Sequence, residues 1–312
     1  MTLDTLLIPT DGSDPAEAAA QQAFALADQL DAAVHVISVA DSSIATGVGY
    51  SGDSPSIRER LRETASTRAT SLRDEAAERG LDVTAAIREG IPAKEIVDYA
   101  DDNAIDAIVI GTSGRGGVTR AIVGSVADKI VRTSSVPVVT LTPDVAKAGV
   151  STSEIDSILL PTDGSDPALE AIQQAFVLAN QLEATVHLLS VLDDALVDSL
   201  SAVTEDDGNS SYSLHEKTEE HLKTLATNAR ERNLEALTAT AAGSPAREIV
   251  DYADRNGIDM IAMGTHGRGG FERLVVGNVT DAVIRKSSVP VFTVRPNSTR
   301  TETSHDSPGT NV

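Results

Sequence analysis

Two glycine-rich turns carry the residue types best suited to chemistry. Gly111-Thr112-Ser113-Gly114 is followed by nine residues and then Gly124-Ser125; Gly264-Thr265-His266-Gly267 is followed by nine residues and then Gly277-Asn278. Each turn follows a short apolar run that reads as a strand and leads into a helical pattern. Glycines between a strand and a helix let backbone N–H groups converge on an anion at the positive end of the helix, which is phosphate-cradle chemistry. A side chain there would block the approach of the backbone to phosphate, and some of these glycines are expected to take φ > 0. The turn is not a Walker A loop, because the chain has no GxxxxGK[ST]. Nor is it the dinucleotide fingerprint: Gly114, Gly116 and Gly117 follow the fourth strand of the pattern rather than the first.

The other chemically capable residues have plainer readings beside the functional ones. Asp11 and Asp163 occupy matching Pro-Thr-Asp-Gly-Ser turns after a first strand. They read either as Asx-turn residues or as ligand contacts, and the ligand role is preferred because that turn faces the ligand-binding end of an open sheet. Ser13 and Ser165 read as turn residues rather than nucleophiles, since no histidine has a spacing that suggests pairing with them. His35 and His187 lie within strands and read as hydrogen-bonded core residues. His266 has Ser113 as its counterpart, so it is not a base required by both turns. Arg115 and Arg268 could cover phosphates or simply screen an acidic surface. Ser125 and Asn278 read as helix N-caps, and a cap can also bind phosphate. No catalytic residue and no metal site is assigned, and the absence of cysteine excludes thiolate nucleophiles and disulfides.

These residues recur because the chain is one domain written twice. Thr10-Asp11-Gly12-Ser13-Asp14-Pro15 returns at 162–167, an offset of 152. Ala93-Lys94-Glu95-Ile96-Val97-Asp98-Tyr99-Ala100-Asp101 returns at 246–254 and Ser134-Ser135-Val136-Pro137-Val138 at 287–291, both offset by 153. A period of that length is a whole domain rather than a solenoid unit. Within the first copy, residues 3–8, 34–39, 82–88, 106–110 and 136–141 read as strands. Helical patterns lie between them at 14–30, about 56–79, from Pro92 to about Asn103, and after Gly124. Asp14 is expected to cap the first helix, with Pro15 at its first position and Glu17 as capping-box partner. Alternating strands and helices imply right-handed crossovers and a parallel sheet covered on both faces. The expected organisation is a domain over 1–142, a linker over 143–154, a second domain over 155–296 and a disordered polar tail over 297–312.

Composition narrows the partners. The 312 residues carry a formal net charge of −22 and no basic stretch, so a nucleic-acid backbone would repel the chain. Aromatic residues make up 3% and Trp is absent, so the cores must be aliphatic and Ala-rich. No apolar run approaches the ~20 residues of a membrane span, and the N-terminal segment reads as a strand rather than a signal peptide; a cytoplasmic location is expected. Only six of the 25 basic residues are Lys, an acidic, Lys-poor balance that resembles proteins of salt-saturated, halophilic cytoplasm.

Taken together, the glycine spacing, the PTDGS turn after strand one, His35-Val36 in strand two and the SSVPVV last strand resemble the universal stress protein family in a tandem form. Gly111, Gly114, Gly124 and Ser125 match its glycine pattern in full, whereas Asn278 departs from the Ser or Thr expected there. The resemblance implies an α/β fold of two tandem open, twisted, parallel five-stranded sheets of order 3-2-1-4-5, Rossmann-like and similar to adenine nucleotide alpha hydrolases, with helices on both faces. It implies ATP, with Mg²⁺ as an optional companion, bound where strands one and four part. The implied contacts are Pro9, Asp11, Val36, Gly111, Gly114, Arg115, Gly124, Ser125 and Val126. In the second copy they are Pro161, Asp163, Leu188, Gly264, Gly267, Arg268, Gly277, Asn278 and Val279. The expected function is a stress-response module that uses the nucleotide as a structural or switching ligand. The alternatives are a weak ATP-hydrolysing or adenylyl-transferring enzyme, for which Asp11 with Mg²⁺ is the only candidate group, and a scaffold that binds nothing. The resemblance also implies pairing of the two copies through their fifth strands as an intramolecular pseudo-dimer, with a homodimer of chains and unidentified protein partners left open.

Overall fold

The structure is a computed structural model that describes residues 2–41, 55–112, 124–143, 145, 154–193, 209–267 and 276–295. The described part of the first copy runs β1 (Thr5–Pro9), α1 (Asp14–Leu30), β2 (Ala33–Asp41), α2 (Pro55–Glu78), β3 (Val83–Gly90), α3 (Pro92–Asp102), β4 (Ala107–Gly111), α4 (Ser125–Thr133) and β5 (Val138–Leu141). The second copy repeats the order as β6 (Ser157–Thr162), α5 (Asp166–Gln181), β7 (Thr185–Leu192), α6 (Asn209–Arg230), β8 (Ala236–Ala242), α7 (Pro245–Asn256), β9 (Met260–Gly264), α8 (Asn278–Lys286) and β10 (Val291–Val294).

Each copy has the strand order 3-2-1-4-5 with parallel pairing throughout. The two five-stranded sheets do not stay separate. β5 pairs antiparallel with β10, which gives one ten-stranded sheet of order β3-β2-β1-β4-β5-β10-β9-β6-β7-β8. The register is Val138 with Thr293, Val139 with Phe292 and Thr140 with Val291. At the repeat offset of 153, Val139 and Phe292 are equivalent positions, so the pseudo-two-fold axis passes through that pair. The neighbours exchange bonds across it: Thr140 Oγ1 donates to the Val291 carbonyl at 3.2 Å and Thr293 Oγ1 to the Val138 carbonyl at 2.9 Å.

The same symmetry appears away from the strands. The Gln29 side chain accepts from Ile155 N at 2.9 Å, and its counterpart Gln181 accepts from Leu3 N at 2.8 Å, so each copy's first helix holds the other copy's entry into its first strand. On α4 and α8, Arg132 and Arg285 each fork onto the aspartate one turn earlier, Asp128 and Asp281, at 2.8–2.9 Å. Each guanidinium holds its proton more firmly than usual, first because of that hydrogen bond and further because the other helix's aspartate lies near.

Alternation along the strands sorts side chains onto two faces. Leu6, Ile8, Val34, Val36 and Val109 pack under α1 and α2 with Phe24 and Leu72, in a layer continuous with Phe176 and Leu225 of the second copy. Leu7, Ile37, Ile108 and Ile110 pack under α3 and α4 with Ile96, Tyr99 and Ile130. The core is aliphatic and Ala-rich, with Phe24, Phe176 and Phe292 its largest fully buried side chains.

Three local expectations shift. The cap of α1 is Ser13 rather than Asp14: Ser13 is extended (φ −88°, ψ 151°) and its Oγ accepts from Ala16 N, which moves Pro15 one place into the helix, where no donor is required. Strand five begins at Val138 rather than Val136, because the Ser134 hydroxyl folds over to bond both the N–H and the carbonyl of Val136. Strand one runs through Pro9, which pairs with Ile37. The expected linker lies outside the described residues apart from 143, 145 and 154, and the expected tail lies wholly outside them. Among the described residues no helix is long and apolar enough to cross a membrane.

The junction makes a stability prediction. Phe292 is 1% exposed, and Phe292→Ala is expected to lower the unfolding free energy by about 3–5 kcal/mol. Urea denaturation checks it, and a loss below about 1 kcal/mol would show that the β5–β10 seam is not a packed core.

Candidate functional site

The crevice exists because β1 and β4 pair over only two residues. Their register is Leu6 with Ala107 and Leu7 with Ile108, after which the strands part; β6 and β9 do the same after Leu159 and Ile261. The lower ends are pinned. Asp106 Oδ2 accepts from Asp4 N and Thr5 N, both at 2.9 Å, and Asp259 Oδ2 accepts from Asp156 N and Ser157 N at 3.2 and 3.0 Å. The gap therefore opens only at the carboxyl ends of the strands, where open α/β sheets bind ligands.

One wall is the turn after strand one. Thr10 N donates to the Ile37 carbonyl at 2.9 Å, and the buried Ser38 hydroxyl donates to the Thr10 carbonyl at 3.0 Å. Gly12 N donates to Thr10 Oγ1 at 3.1 Å with Gly12 at φ 70°, a left-handed backbone that glycine accepts without steric cost. Asp11 Oδ1 accepts from both Ser13 N at 3.0 Å and Ser13 Oγ at 2.6 Å. Asp163 makes the same pair of bonds to Ser165 at 3.0 and 2.6 Å, beside Gly164 at φ 76°. The Asx-turn reading of both aspartates thus describes one carboxylate oxygen. The other oxygen of Asp163 faces the opposite wall, since a Cβ built on Gly267 would lie 2.9 Å from Asp163 Oδ2.

That opposite wall is the glycine turn and the helix after it. Gly124 N donates to the Thr112 carbonyl at 2.6 Å and Gly277 N to the Thr265 carbonyl at 2.8 Å, closing the turn onto the strand end. Thr112 and Thr265 are buried, and their part in holding the helix start is not visible from the glycine spacing. Gly124 and Gly277 are themselves the N-caps of α4 and α8, with no side-chain cap bond. Ser125 and Asn278, expected as caps, sit one place later as the first helical residues and are exposed. Each helix thus starts at a residue that has no side chain of its own to cap the first N–H groups.

Space rather than an unusual dihedral is what Gly124 and Gly264 supply. Gly124 and Gly277 have φ −59° and −61°, so the positive φ expected of some cradle glycines does not fall on these two. A Cβ on Gly124 would sit 3.2 Å from the Thr112 carbonyl oxygen, whereas one on Gly277 would make an ordinary 3.5 Å contact with Thr265. A Cβ on Gly264 would meet the Pro167 carbonyl oxygen at 3.1 Å, so this glycine lets the first turn of α5 approach β9. Gly111 ends β4 at the corresponding place. Val126 and Val279 follow the exposed first residues and are half-buried against the core under α4 and α8.

Val36 and Leu188 are not on the crevice surface. Both are 0% exposed in the aliphatic layer beneath the first helices, because β2 and β7 turn these positions to that face. Pro9 closes β1, and Pro161 is the last residue but one of β6, at the lip of the gap. Gly114, Arg115 and Arg268 lie outside the described residues.

His35 and His187 are tied to the opposite face. His35 Nδ1 is 2.8 Å from the Tyr99 hydroxyl and His187 Nδ1 is 3.1 Å from the Tyr252 hydroxyl. Burial lowers both imidazoles below the usual value, opposed by Asp82 for His35 and by Glu235 for His187. Two residues near the crevice carried no sequence signal. Arg68 of α2 lies against the first turn, with a Cβ on Gly12 only 2.7 Å from its Nε. Thr280 ties α8 to the end of β9, its hydroxyl donating to the Gly264 carbonyl at 2.8 Å, where the first copy has Ala127.

Comparison with known proteins places these features in context. The model of the Universal stress protein family matches residues 2–141 and again 154–295. A universal stress protein of Methanocaldococcus jannaschii is 37% identical over 133 residues, 43% of this chain and 78% of that protein. One from Mycobacterium bovis is 26% identical over 221 residues, 70% of this chain and 71% of that protein. The crystal structure of a universal stress protein from Archaeoglobus fulgidus has a similar fold, with a TM-score of 0.69 at 19% identity, over 95% of this chain and 98% of that one.

The histidine pairs set a pH dependence. Their folded pKa lies below the unfolded ~6.5, so the unfolded chain binds more protons in acid, and their contribution is present above pH ~6.5 and lost as pH falls. The double variant His35→Gln, His187→Gln is expected to lose less Tm between pH 7.5 and 5 than wild type. Equal losses in a thermal melt series would exclude this role.

Proposed function

Since the chain belongs to the universal stress protein family, we propose that it is a nucleotide-binding module that holds ATP in the crevice between β1 and β4. The observation that carries this reading is the start of α4. It begins at a glycine, which has no side chain to cap it and whose Cβ would crowd the Thr112 carbonyl at 3.2 Å, and it follows β4 beyond the point where that strand has parted from β1 and its Asp11 turn. Backbone N–H groups at such a helix end suit phosphate oxygens. The exposed Ser125 hydroxyl adds a donor to phosphate or a ligand to a Mg²⁺ that arrives with the nucleotide. Asp11, held by its turn, is assigned here as the acceptor for a hydroxyl of the ribose.

The nucleotide acts here as a structural or switching ligand. Hydrolysis needs a positioned base or an electrophilic clamp, and Asp11 already has one oxygen occupied by Ser13. ATP present at a hundredfold excess over its Kd adds about 2.7 kcal/mol to the folded state. That is enough to bias the crevice walls toward one arrangement that a partner reads.

Calorimetric titration of the full chain with ATP and Mg²⁺ in molar KCl tests this. Wild type is expected to bind ATP, and Gly124→Val, whose side chain crowds the Thr112 carbonyl where the glycine turn closes onto α4, is expected to lose one site while melting within a few degrees of wild type. If wild type takes up no ATP, the crevice is inherited architecture and the chain is a scaffold.

A further inference from the structure

The two crevices differ in charge, and the difference sits on α2 and α6 as well as on the glycine turns. These helices align at an offset of 153. Leu72 and Leu225 are buried in both, as are Ala76 and Ala229. Arg79 lies 5.3 Å over the Phe24 ring, and Arg232 lies 5.7 Å over that of Phe176. With the register fixed at three points, the counterpart of Arg68 is His221. Arg68 packs its stem and Nε on Gly12, next to Asp11, so the first crevice has a permanent cation beside its aspartate turn. The second copy has an imidazole at that helix position.

A second imidazole enters the same copy from the other wall. His266 replaces Ser113 and directly precedes Gly267, whose backbone approaches Asp163. Its Nδ1 is 2.8 Å from the Thr265 hydroxyl. For both His221 and His266, Nε2 is shielded from solvent and has no hydrogen-bond partner among the described residues; the one other such side-chain atom there is Gln22 Oε1. An unpaired shielded imidazole nitrogen costs free energy and calls for a partner. Both fall in the second copy, His266 in the glycine turn that approaches Asp163 and His221 at the helix position whose counterpart, Arg68, lies against the first-copy turn, where the first copy has Ser and Arg.

We infer that the second crevice takes a nucleotide of lower charge than the first: a nucleoside monophosphate, held by Nε2 of His221 and of His266, while the first takes the triphosphate. This rests on the nucleotide reading above. With the Thr265 hydroxyl assigned as donor to Nδ1, the His266 ring proton sits on Nε2 and is offered to a phosphate oxygen. Coulomb attraction scales with the ligand's charge, so losing one fixed cation beside the aspartate penalises a triphosphate more than a monophosphate. Asn278 in place of Ser125 also removes the hydroxyl suited to a triphosphate-bound Mg²⁺.

Calorimetry of the full chain with ATP and, separately, AMP tests the inference on wild type, His221→Arg, His266→Ser and Arg68→His. Wild type is expected to bind one ATP tightly and to fill its second site better with AMP than with ATP. His221→Arg is expected to tighten ATP at the second site by about tenfold to a hundredfold, His266→Ser to weaken AMP there, and Arg68→His to weaken ATP at the first site. Affinities that are equal at the two sites, or that no substitution moves, overturn this inference alone. Uptake of neither nucleotide overturns the reading it rests on and takes this inference with it. If a variant fails to fold, ¹⁵N-histidine spectra of wild type decide: AMP must shift the Nε2 resonances of two histidines, and unshifted resonances overturn the assignment.

Discussion

Strand β5 is four residues long and every one of them is buried, and the same is true of β10. In an isolated copy either strand would be an apolar open edge, the element most prone to uncontrolled pairing. Joining them antiparallel about the Val139–Phe292 pair removes both edges and fuses the aliphatic layer under α1, α2, α5 and α6 into one core. The rest of the molecule follows from that seam. It sets the two crevices at symmetric places in one sheet, and it brings each copy's first helix within reach of the other copy's first strand.

Each crevice depends on a second constraint, the short pairing of strands one and four. Aspartates at the lower ends of β4 and β9 bond two backbone N–H groups of the neighbouring strand, so divergence is confined to the upper ends. There the Asx turn stiffens one wall, and the bond from a capping glycine to a threonine carbonyl stiffens the other. A site held this firmly before a ligand arrives spends little of its binding energy on ordering itself.

Duplication has preserved this frame while letting its chemistry drift. The turns, the histidine–tyrosine pairs and the arginine–phenylalanine contacts recur at nearly the same distances. The crevices carry differences of their own: Arg68 against His221, Ser113 against His266, Ser125 against Asn278 and Ala127 against Thr280. Backbone-built features persist because each change there would cost the fold, whereas side chains at the rim are constrained mainly by what they bind.

Much of this was legible in the chain alone. Repetition at 152–153 residues, strand and helix periodicities and the glycine spacing specify the α/β class, the order of elements and the position of the glycine turns, because these depend on local pattern. Local pattern misjudged the caps of α1 and α4, where a residue one place earlier had the extended backbone a cap requires. Three matters were decided only in three dimensions. The fully buried setting of Val36 and Leu188 depends on which face the pleat presents to α1 and α5. The role of Gly264 depends on Pro167, nearly a hundred residues earlier in the chain. The placement of Arg68 beside Asp11 depends on how α2 packs across β2 and β3, and no spacing in sequence encodes a contact made by packing.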